Sequence, residues 1–258
     1  MPEKPIIIQN QIAADLELLG LRSGDIVLVH SSLSSLGFVE GGPDAVIDAL
    51  LETLGPHGTL LMPSFQQGSE YELLRRGCTF DLRTSPSELG IITEIFRRRP
   101  GVIRSVSPTH CVAGIGPRAG ELLADHLTCL VSVGRGSPYD NLVRAEGRIL
   151  LLGVTHTTNT TLHLIENTNG APTVCRELFN GIVIDTQGQS WTVPTHPHMP
   201  GLRRRYERVE EELLGASIQR NGYVGQALSR LIEAKPMAEL IGKKIQDTPL
   251  YLCDVFNP

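Results

Sequence analysis

The 258-residue chain has no window of about 18 uninterrupted apolar residues, which excludes a membrane-spanning helix. Its first residues, Met1-Pro2-Glu3-Lys4-Pro5 and then Ile6-Ile7-Ile8, lack an apolar segment of signal-peptide length, so a cytoplasmic protein without membrane association is expected. Cysteine is sparse: Cys78, Cys111, Cys129, Cys175 and Cys253 are odd in number, widely spaced and free of C-x-x-C pairs, which excludes a disulfide framework and a cysteine-based zinc knuckle. A basic surplus is also missing, since 23 Lys and Arg against 28 Asp and Glu leave a net charge of −5; nucleic acid is therefore not the expected partner, and a small ligand is. The chain contains no G-x-S-x-G elbow, P-loop or H-E-x-x-H, which removes the usual hydrolase, kinase and metalloprotease signatures. Repeats, low-complexity segments and interdomain linkers are absent as well. What is present, 41% hydrophobic residues with 26 Gly and 17 Pro spread along the chain, is the composition of a globular protein with a large core.

Strand and helix signals alternate. Ile12, Leu16 and Leu19 recur at helical spacing within Asn10 to Leu21, and Gly20 can close that helix. Asp25 to His30 is a short β-rich run, Ser31 to Ser35 a polar turn, Pro43 the start of a helix that Gly55 stops, and Gly58 to Pro63 a second strand. Residues 25–63 thus form one βαβ unit, which predicts parallel strands with a ligand at their carboxyl ends, where His30 and the serine run lie. Residues 64–87 lack periodicity and carry Gln66, Gln67, Glu70, Tyr71, Glu72 and Asp81; a long polar surface loop is expected, with a substrate flap as the alternative. A helix at about 88–99 stopped by Pro100, a strand near 109–115, a helix opened by Pro117 and a buried strand from Arg148 to Val154 follow. Residues 181–193 alternate like a hairpin around Gln187-Gly188-Gln189, and two or three helices precede a last strand at Leu250 to Val255.

The most informative segment runs Gly153-Val154-Thr155-His156-Thr157-Thr158-Asn159-Thr160-Thr161-Leu162-His163-Leu164-Ile165-Glu166. A buried strand delivers the chain to a helix capped by Asn159, and His163 and Glu166, three apart, project from one helical face. A carboxylate beside an imidazole can fix its tautomer and stabilise its cation, which makes a general base near neutral pH. The same spacing also occurs in ordinary helix-surface pairs, so on spacing alone both readings stand.

Three separated stretches resemble the aminoglycoside 3-N-acetyltransferase family. The first is Val29-His30-Ser31-Ser32-Leu33-Ser34-Ser35-Leu36-Gly37, with Gly41-Gly42-Pro43 and Gly58-Thr59-Leu60-Leu61-Met62-Pro63-Ser64 after it. The second is Arg104-Ser105-Val106-Ser107-Pro108-Thr109-His110-Cys111-Val112-Ala113 with Gly116-Pro117. The third joins Gly136-Ser137-Pro138-Tyr139 to the Gly147–Val154 strand and the Asn159–Glu166 helix. Together they span roughly residues 25–167, in family order.

The resemblance implies a single domain over residues 1–258, with residues 168–258 as an acceptor-side elaboration. The implied architecture is a three-layer α/β/α fold with a mixed, mostly parallel central sheet, plus a C-terminal hairpin and helices. It implies direct transfer of an acetyl group from acetyl-CoA to an amine of an aminoglycoside, with His163 as base and Glu166 as its partner, and a role in antibiotic resistance. The partners expected are CoA and a small amine, the protein being a monomer or homodimer with no metal. His30, Ser31, Ser32, Leu33, Ser34 and Ser35 are the expected cofactor cradle and source of oxyanion donors, joined by Arg104, Ser107 and Thr109. Glu70, Tyr71, Asp81, His110, Asn159 and His196 are the expected acceptor contacts. Many family members carry His where Ser107 stands and Asp where Thr157 stands, and in some acidic residues sit near the start of the segment that here reads Val193-Pro194-Thr195-His196-Pro197-His198. Aminoglycosides are polycations that call for carboxylates, so a different amino metabolite is the alternative acceptor; a CoA-binding protein that has lost turnover is the alternative class.

Other motifs compete less well. Gly114-Ile115-Gly116-Pro117-Arg118-Ala119 fits the dinucleotide fingerprint, yet Pro117 removes an N–H that would face the pyrophosphate, so a tight strand-to-helix turn is expected. His196, His198 and Cys175 lack a fourth zinc ligand, and Cys111 reads as a buried strand thiol. Arg97-Arg98-Arg99 and Arg203-Arg204-Arg205 read as solvated helix faces.

Overall fold

A computed structural model describes residues 5–254. At the centre lie three parallel strands, β2 (Ile26–Ser31) flanked by β4 (Thr59–Pro63) and β8 (Arg148–Leu152). They are preceded in the chain by β1 (Ile6–Ile7) and α1 (Gln9–Leu19); β3 (Phe38–Val39), which pairs with β1, and α2 (Gly42–Leu54) lie between β2 and β4. After β4 come α3 (Glu70–Arg75), β5 (Thr79–Asp81), α4 (Ile91–Phe96), β6 (Ile103–Arg104), β7 (Val112–Ile115), α5 (Ala119–Leu123) and α6 (Pro138–Arg144). Beyond β8 are α7 (Thr161–Thr168), β9 (Phe179–Ile184), β10 (Ser190–Thr195), α8 (Val209–Gly215), β11 (Gln219–Val224), β12 (Ala227–Glu233) and α9 (Ala234–Asp247).

The main sheet has the order β11-β12-β8-β2-β4-β7-β6. Its strands are apolar at nearly every position because both faces are covered, and successive side chains alternate between two cores. Val27, Val29, Leu60, Met62, Leu150 and Leu152 pack towards α1, α2 and α4, whereas Ile26, Leu28, Leu61, Ile149 and Leu151 pack towards the layer that includes α6, α7 and α9. Each such side chain contributes about 1.5–3 kcal/mol of burial. The three-layer α/β arrangement and the mixed sheet agree with expectation. Parallel pairing, however, is confined to the central trio; the outer pairings β8–β12, β12–β11, β4–β7 and β7–β6 are antiparallel. The stretch before residue 250, where two or three helices were expected, holds α8 and α9 and between them the β11–β12 hairpin, in which Val224 pairs with Ala227 across a two-residue turn. The last strand expected at Leu250 to Val255 is a turn with a single bridge, Arg204 to Cys253, and Val255 lies outside the described residues.

A second sheet, β10-β9-β5, confirms the hairpin expected around Gln187 and corrects the reading of residues 64–87. That stretch is no surface loop. It supplies α3 and β5, and Phe80 and Leu82 from it are buried with Cys111, Val183 and Val193. The short apolar pieces are too brief to show periodicity, but they gain their partners from the hairpin about 100 residues on.

At the carboxyl end of β8 the backbone of Gly153 has φ +70°, and a β-carbon there would lie 2.7 Å from Cβ of Ser35 and 3.0 Å from Cβ of Ala227. Only glycine tolerates both the left-handed turn and the approach, so the strand leading to α7 is pressed against the serine turn after β2. In the fingerprint-like turn, a β-carbon on Gly116 would meet the Gly58 carbonyl at 2.3 Å. That glycine serves strand packing, as the tight-turn reading expects.

Candidate active site

Helix α7 is started by Asn159, whose side-chain oxygen accepts from the Thr161 amide at 3.2 Å, and it buries Leu162, Leu164, Ile165 and Glu166. His163 lies on its less buried side. Nδ1 of His163 is 3.2 Å from Glu166 Oε2, so the helical spacing delivers the expected pair. The pair is completed by residues far along the chain. The Tyr206 hydroxyl donates to Glu166 Oε2 at 2.7 Å and lies 2.9 Å from His163 Nδ1; its single proton is committed to the carboxylate, so Nδ1–H is the donor to it. Arg204 Nε donates to the same carboxylate oxygen at 3.2 Å, and the Cys253 thiol donates to Oε1 at 3.4 Å.

Burial alone would raise the Glu166 carboxyl, but the hydrogen bond and charge of His163, with Arg204 and Tyr206, hold it down at about 2. Burial pushes the His163 imidazole down to about 3, the adjacent His198 adding to this. The histidine is therefore neutral at physiological pH, with its proton on Nδ1 and a lone pair on Nε2. The sequence reading expected Glu166 to favour the cation; desolvation outweighs it.

A second cluster lies beside the first. The buried Glu70 carboxylate accepts from Thr109 Oγ1 (2.8 Å), from the Ser132 hydroxyl, and from the His198 amide (2.8 Å) and Nδ1 (2.5 Å), and His110 Nδ1 lies at 3.3 Å. Burial would raise Glu70, yet these imidazoles and their hydrogen bonds hold it well below the ordinary carboxylate range. The ring of His198 is 4.3 Å from that of His163, and the ring of His110 is 6.4 Å from it.

Beside the serine turn runs a groove of about 730 Å³ lined by Ser31, Ser32, Leu33 and Ser34 on one side and Gln67 and Ile91 among others across it. Ser35 is held to Ser32 through their hydroxyls at 2.9 Å. His30 is not a lining residue: it is buried within β2, and burial pushes its imidazole down to about 3. Arg104 is also withdrawn, because its guanidinium donates to Ser64 and to the carbonyls of Leu82 and Ser85 and lies over the Phe80 ring. Ser107 accepts from the His110 amide, and Thr109 is committed to Glu70.

The expected acceptor contacts separate in the same way. Glu70 is buried and saturated, Asp81 is paired with Arg83 at 2.8 Å, and Asn159 is buried under the start of α7. Tyr71 packs edge-on against Phe179, and His196 Nδ1 meets the Glu177 carbonyl at 3.2 Å. Of the six, His110 stands beside His163. Arg204 overturns the solvated-face reading of the arginine run: it is mostly buried so that one cation can neutralise Glu166. Tyr206, Arg204, Ser132 and the position of His198 carried no local signal, since their partners lie 22 to 128 residues away.

An α/β fold with a histidine–carboxylate pair on the helix that follows an inner strand of the main sheet defines the class, and comparisons with known proteins specify it. The family model described as aminoglycoside 3-N-acetyltransferase matches residues 28–246. Aminoglycoside N(3)-acetyltransferase IV of Salmonella sp is 34% identical over 241 residues, covering 91% of this chain and 86% of its own length. Among solved structures, a histidine-to-alanine mutant of aminoglycoside acetyltransferase AAC(3)-IVa in complex with a gentamicin superposes with a TM-score of 0.84 at 30% identity, over 98% of this chain and 93% of that one. AAC-IIIb in binary complex with CoASH gives a TM-score of 0.81 at 28% identity, over 94% and 97%. The chain belongs to the aminoglycoside 3-N-acetyltransferase family and is an acyltransferase.

Proposed function

We propose that the protein transfers the acetyl group of acetyl-CoA to an amino group of an aminoglycoside by direct attack, with His163 as the base, and so confers resistance in the cytoplasm. The observation that carries this is the His163–Tyr206–Glu166–Arg204 array, in which a neutral imidazole is fixed with its lone pair on Nε2. As the amine nitrogen attacks the thioester carbon, it becomes positively charged, and Nε2 takes its proton. Glu166 stabilises the imidazolium that results, and Arg204 keeps that buried carboxylate ionised.

The groove beside Ser31 to Ser34 suits the pantetheine arm of CoA, because its lining mixes hydroxyls with Leu33, Val39 and Ile91 and contains no lysine or arginine. The Ser31 hydroxyl is buried without a protein partner, which makes it the candidate donor to the thioester oxygen in the transition state. A second reading, in which the acceptor is a different amino metabolite, is favoured by the engagement of Glu70 and Asp81 within the fold, which leaves them unable to receive a polycation. The test is CoA thiol release from acetyl-CoA over a panel of aminoglycosides, with wild type and His163→Ala in parallel. Turnover by wild type alone supports the assignment; binding of acetyl-CoA without acetylation of any drug moves the conclusion to another amine.

A further inference from the structure

The surroundings of His110 repeat those of His163 part for part. Around His163, Nδ1 meets a hydroxyl (Tyr206, 2.9 Å) and a carboxylate oxygen (Glu166 Oε2, 3.2 Å), and the hydroxyl donates to that carboxylate. Around His110, Nδ1 meets a hydroxyl (Ser132, 2.9 Å) and a carboxylate oxygen (Glu70 Oε1, 3.3 Å), and the hydroxyl again donates to the carboxylate. In both, the hydroxyl proton is committed, so Nδ1 carries the imidazole proton and Nε2 carries the lone pair. Neither Nε2 has a hydrogen-bond partner among the described residues. The two rings stand 6.4 Å apart at 61°, a gap that one nitrogen with hydrogen bonds of about 3 Å can bridge.

Glu70, His110 and His198 also bring donor atoms within 4.8 Å of one another, as a metal site would. The hydrogen bonds speak for a proton network instead. The Asn167 amide nitrogen donates to the Val133 carbonyl at 2.8 Å and to His198 Nε2 at 3.0 Å, which places the His198 proton on Nδ1, aimed at Glu70. His198 is thereby occupied on both nitrogens, and His110 is the imidazole left facing the reaction.

We propose that His110 is a second proton acceptor: it takes the first proton from the ammonium group of the acceptor, and His163 takes the second as the resulting amine attacks. This rests on the acetyl-transfer reading above. An alkyl ammonium, with a pKa of about 10, has no lone pair, and its conversion to an amide removes two protons. The first passes to His110 Nε2, whose cation faces the Glu70 carboxylate. The amine then forms the C–N bond, its second proton passes to His163, and the C–S bond breaks to give CoA thiolate. His110 returns its proton to that sulfur, giving CoASH, and His163 releases the other to water. The groups facing His110 are Glu70 from α3, His126 from the turn before Ser132, His163 from α7, His198 after β10, and the Phe65 ring at 4.8 Å.

The test is the pH dependence of kcat/KM for CoA release by wild type, His110→Gln and His163→Ala with gentamicin, apramycin, sisomicin and methoxyamine as acceptors. His110→Gln is expected to lose about 10²-fold at pH 6.5 with the drugs, the loss shrinking markedly towards pH 9.5, where roughly a quarter of an amine with a pKa of about 10 is neutral. With methoxyamine, a base weak enough to be neutral at pH 6.5, it is expected to be small throughout, while His163→Ala fails at every pH and with every acceptor. His110→Ala should regain activity at pH 6.5 on addition of imidazole, a readout independent of how well the glutamine variant folds. A loss that is the same at all pH values and for all acceptors, or no loss, overturns the proposal alone. Absence of turnover by wild type with every amine overturns the acetyl-transfer reading and this proposal with it.

Discussion

Tyr206 stands between His163 and Glu166, accepting from the imidazole at 2.9 Å and donating to the carboxylate at 2.7 Å. A tyrosine from the segment after the second sheet thus sets the tautomer of a histidine 43 residues earlier. Tyr206→Phe removes both hydrogen bonds while keeping the ring, and leaves the Nδ1 proton to Glu166 alone. The expected result is a fall in kcat of about tenfold, with little change in the KM for acetyl-CoA, corresponding to about 1.4 kcal/mol. A wild-type rate in this variant, measured by steady-state kinetics, would remove Tyr206 from the mechanism.

His163→Ala is expected to lower kcat by roughly 10²–10⁴-fold while leaving the dissociation constant for CoA nearly unchanged. Glu166→Gln should cost less, because Tyr206 still orients the ring. Calorimetric titration of CoA separates the roles: weakened binding in His163→Ala would make the residue structural.

Arg204→Met is expected to destabilise the protein by about 3–5 kcal/mol, because Glu166 then remains a buried carboxylate without its cation. The double variant Arg204→Met with Glu166→Gln should recover much of this. Urea denaturation of the two proteins, compared in one buffer, tests it, and additive losses would refute the coupling.

Stability should fall as pH drops from about 6.5 towards 4.5. His30 and His163 at about 3 and His126 at about 4, all lowered by burial, bind a proton in the unfolded chain before they do so in the fold. The unfolded state therefore holds more protons in this window, and unfolding free energy decreases with acidification by up to about 1.4 kcal/mol per pH unit per histidine. Glu70 and Glu166, both held low in the fold, add a further loss only below about 4.5. Melting temperatures at pH 7.5, 6.0 and 5.0 check the first window; a flat profile there contradicts the burial of these imidazoles.

Gly153→Ala places a β-carbon against Ser35 and Ala227 on a left-handed backbone. The serine turn must shift, so the expected signature is a KM for acetyl-CoA raised about tenfold with a stability loss of about 1–3 kcal/mol. An unchanged KM would separate the turn from the cofactor groove.

Much of this was written in local sequence. The apolar runs from Ile26 and Arg148 could only be strands buried on both faces, and a spacing of three on a helix obliged His163 and Glu166 to meet, whatever the rest of the chain does. The three stretches beginning at Val29, Arg104 and Gly136 carried the family resemblance. Local patterning failed where an element has no hydrophobic period of its own: α3 and β5 looked like loop because they acquire a buried face only from β9, and the β11–β12 hairpin lies in a stretch for which only helices were expected.

What only the tertiary structure decided is the electrostatics. Glu70 was expected to meet a substrate, yet it meets His198, 128 residues away, because the second sheet folds over it and leaves an ionised carboxylate no water to turn to. Arg204 was expected in solvent, yet the chain brings it to Glu166 for the same reason. A sequence states which charges exist and which are neighbours on one helix; whether a charge is solvated, and so which partner it must find, depends on burial that the whole fold sets.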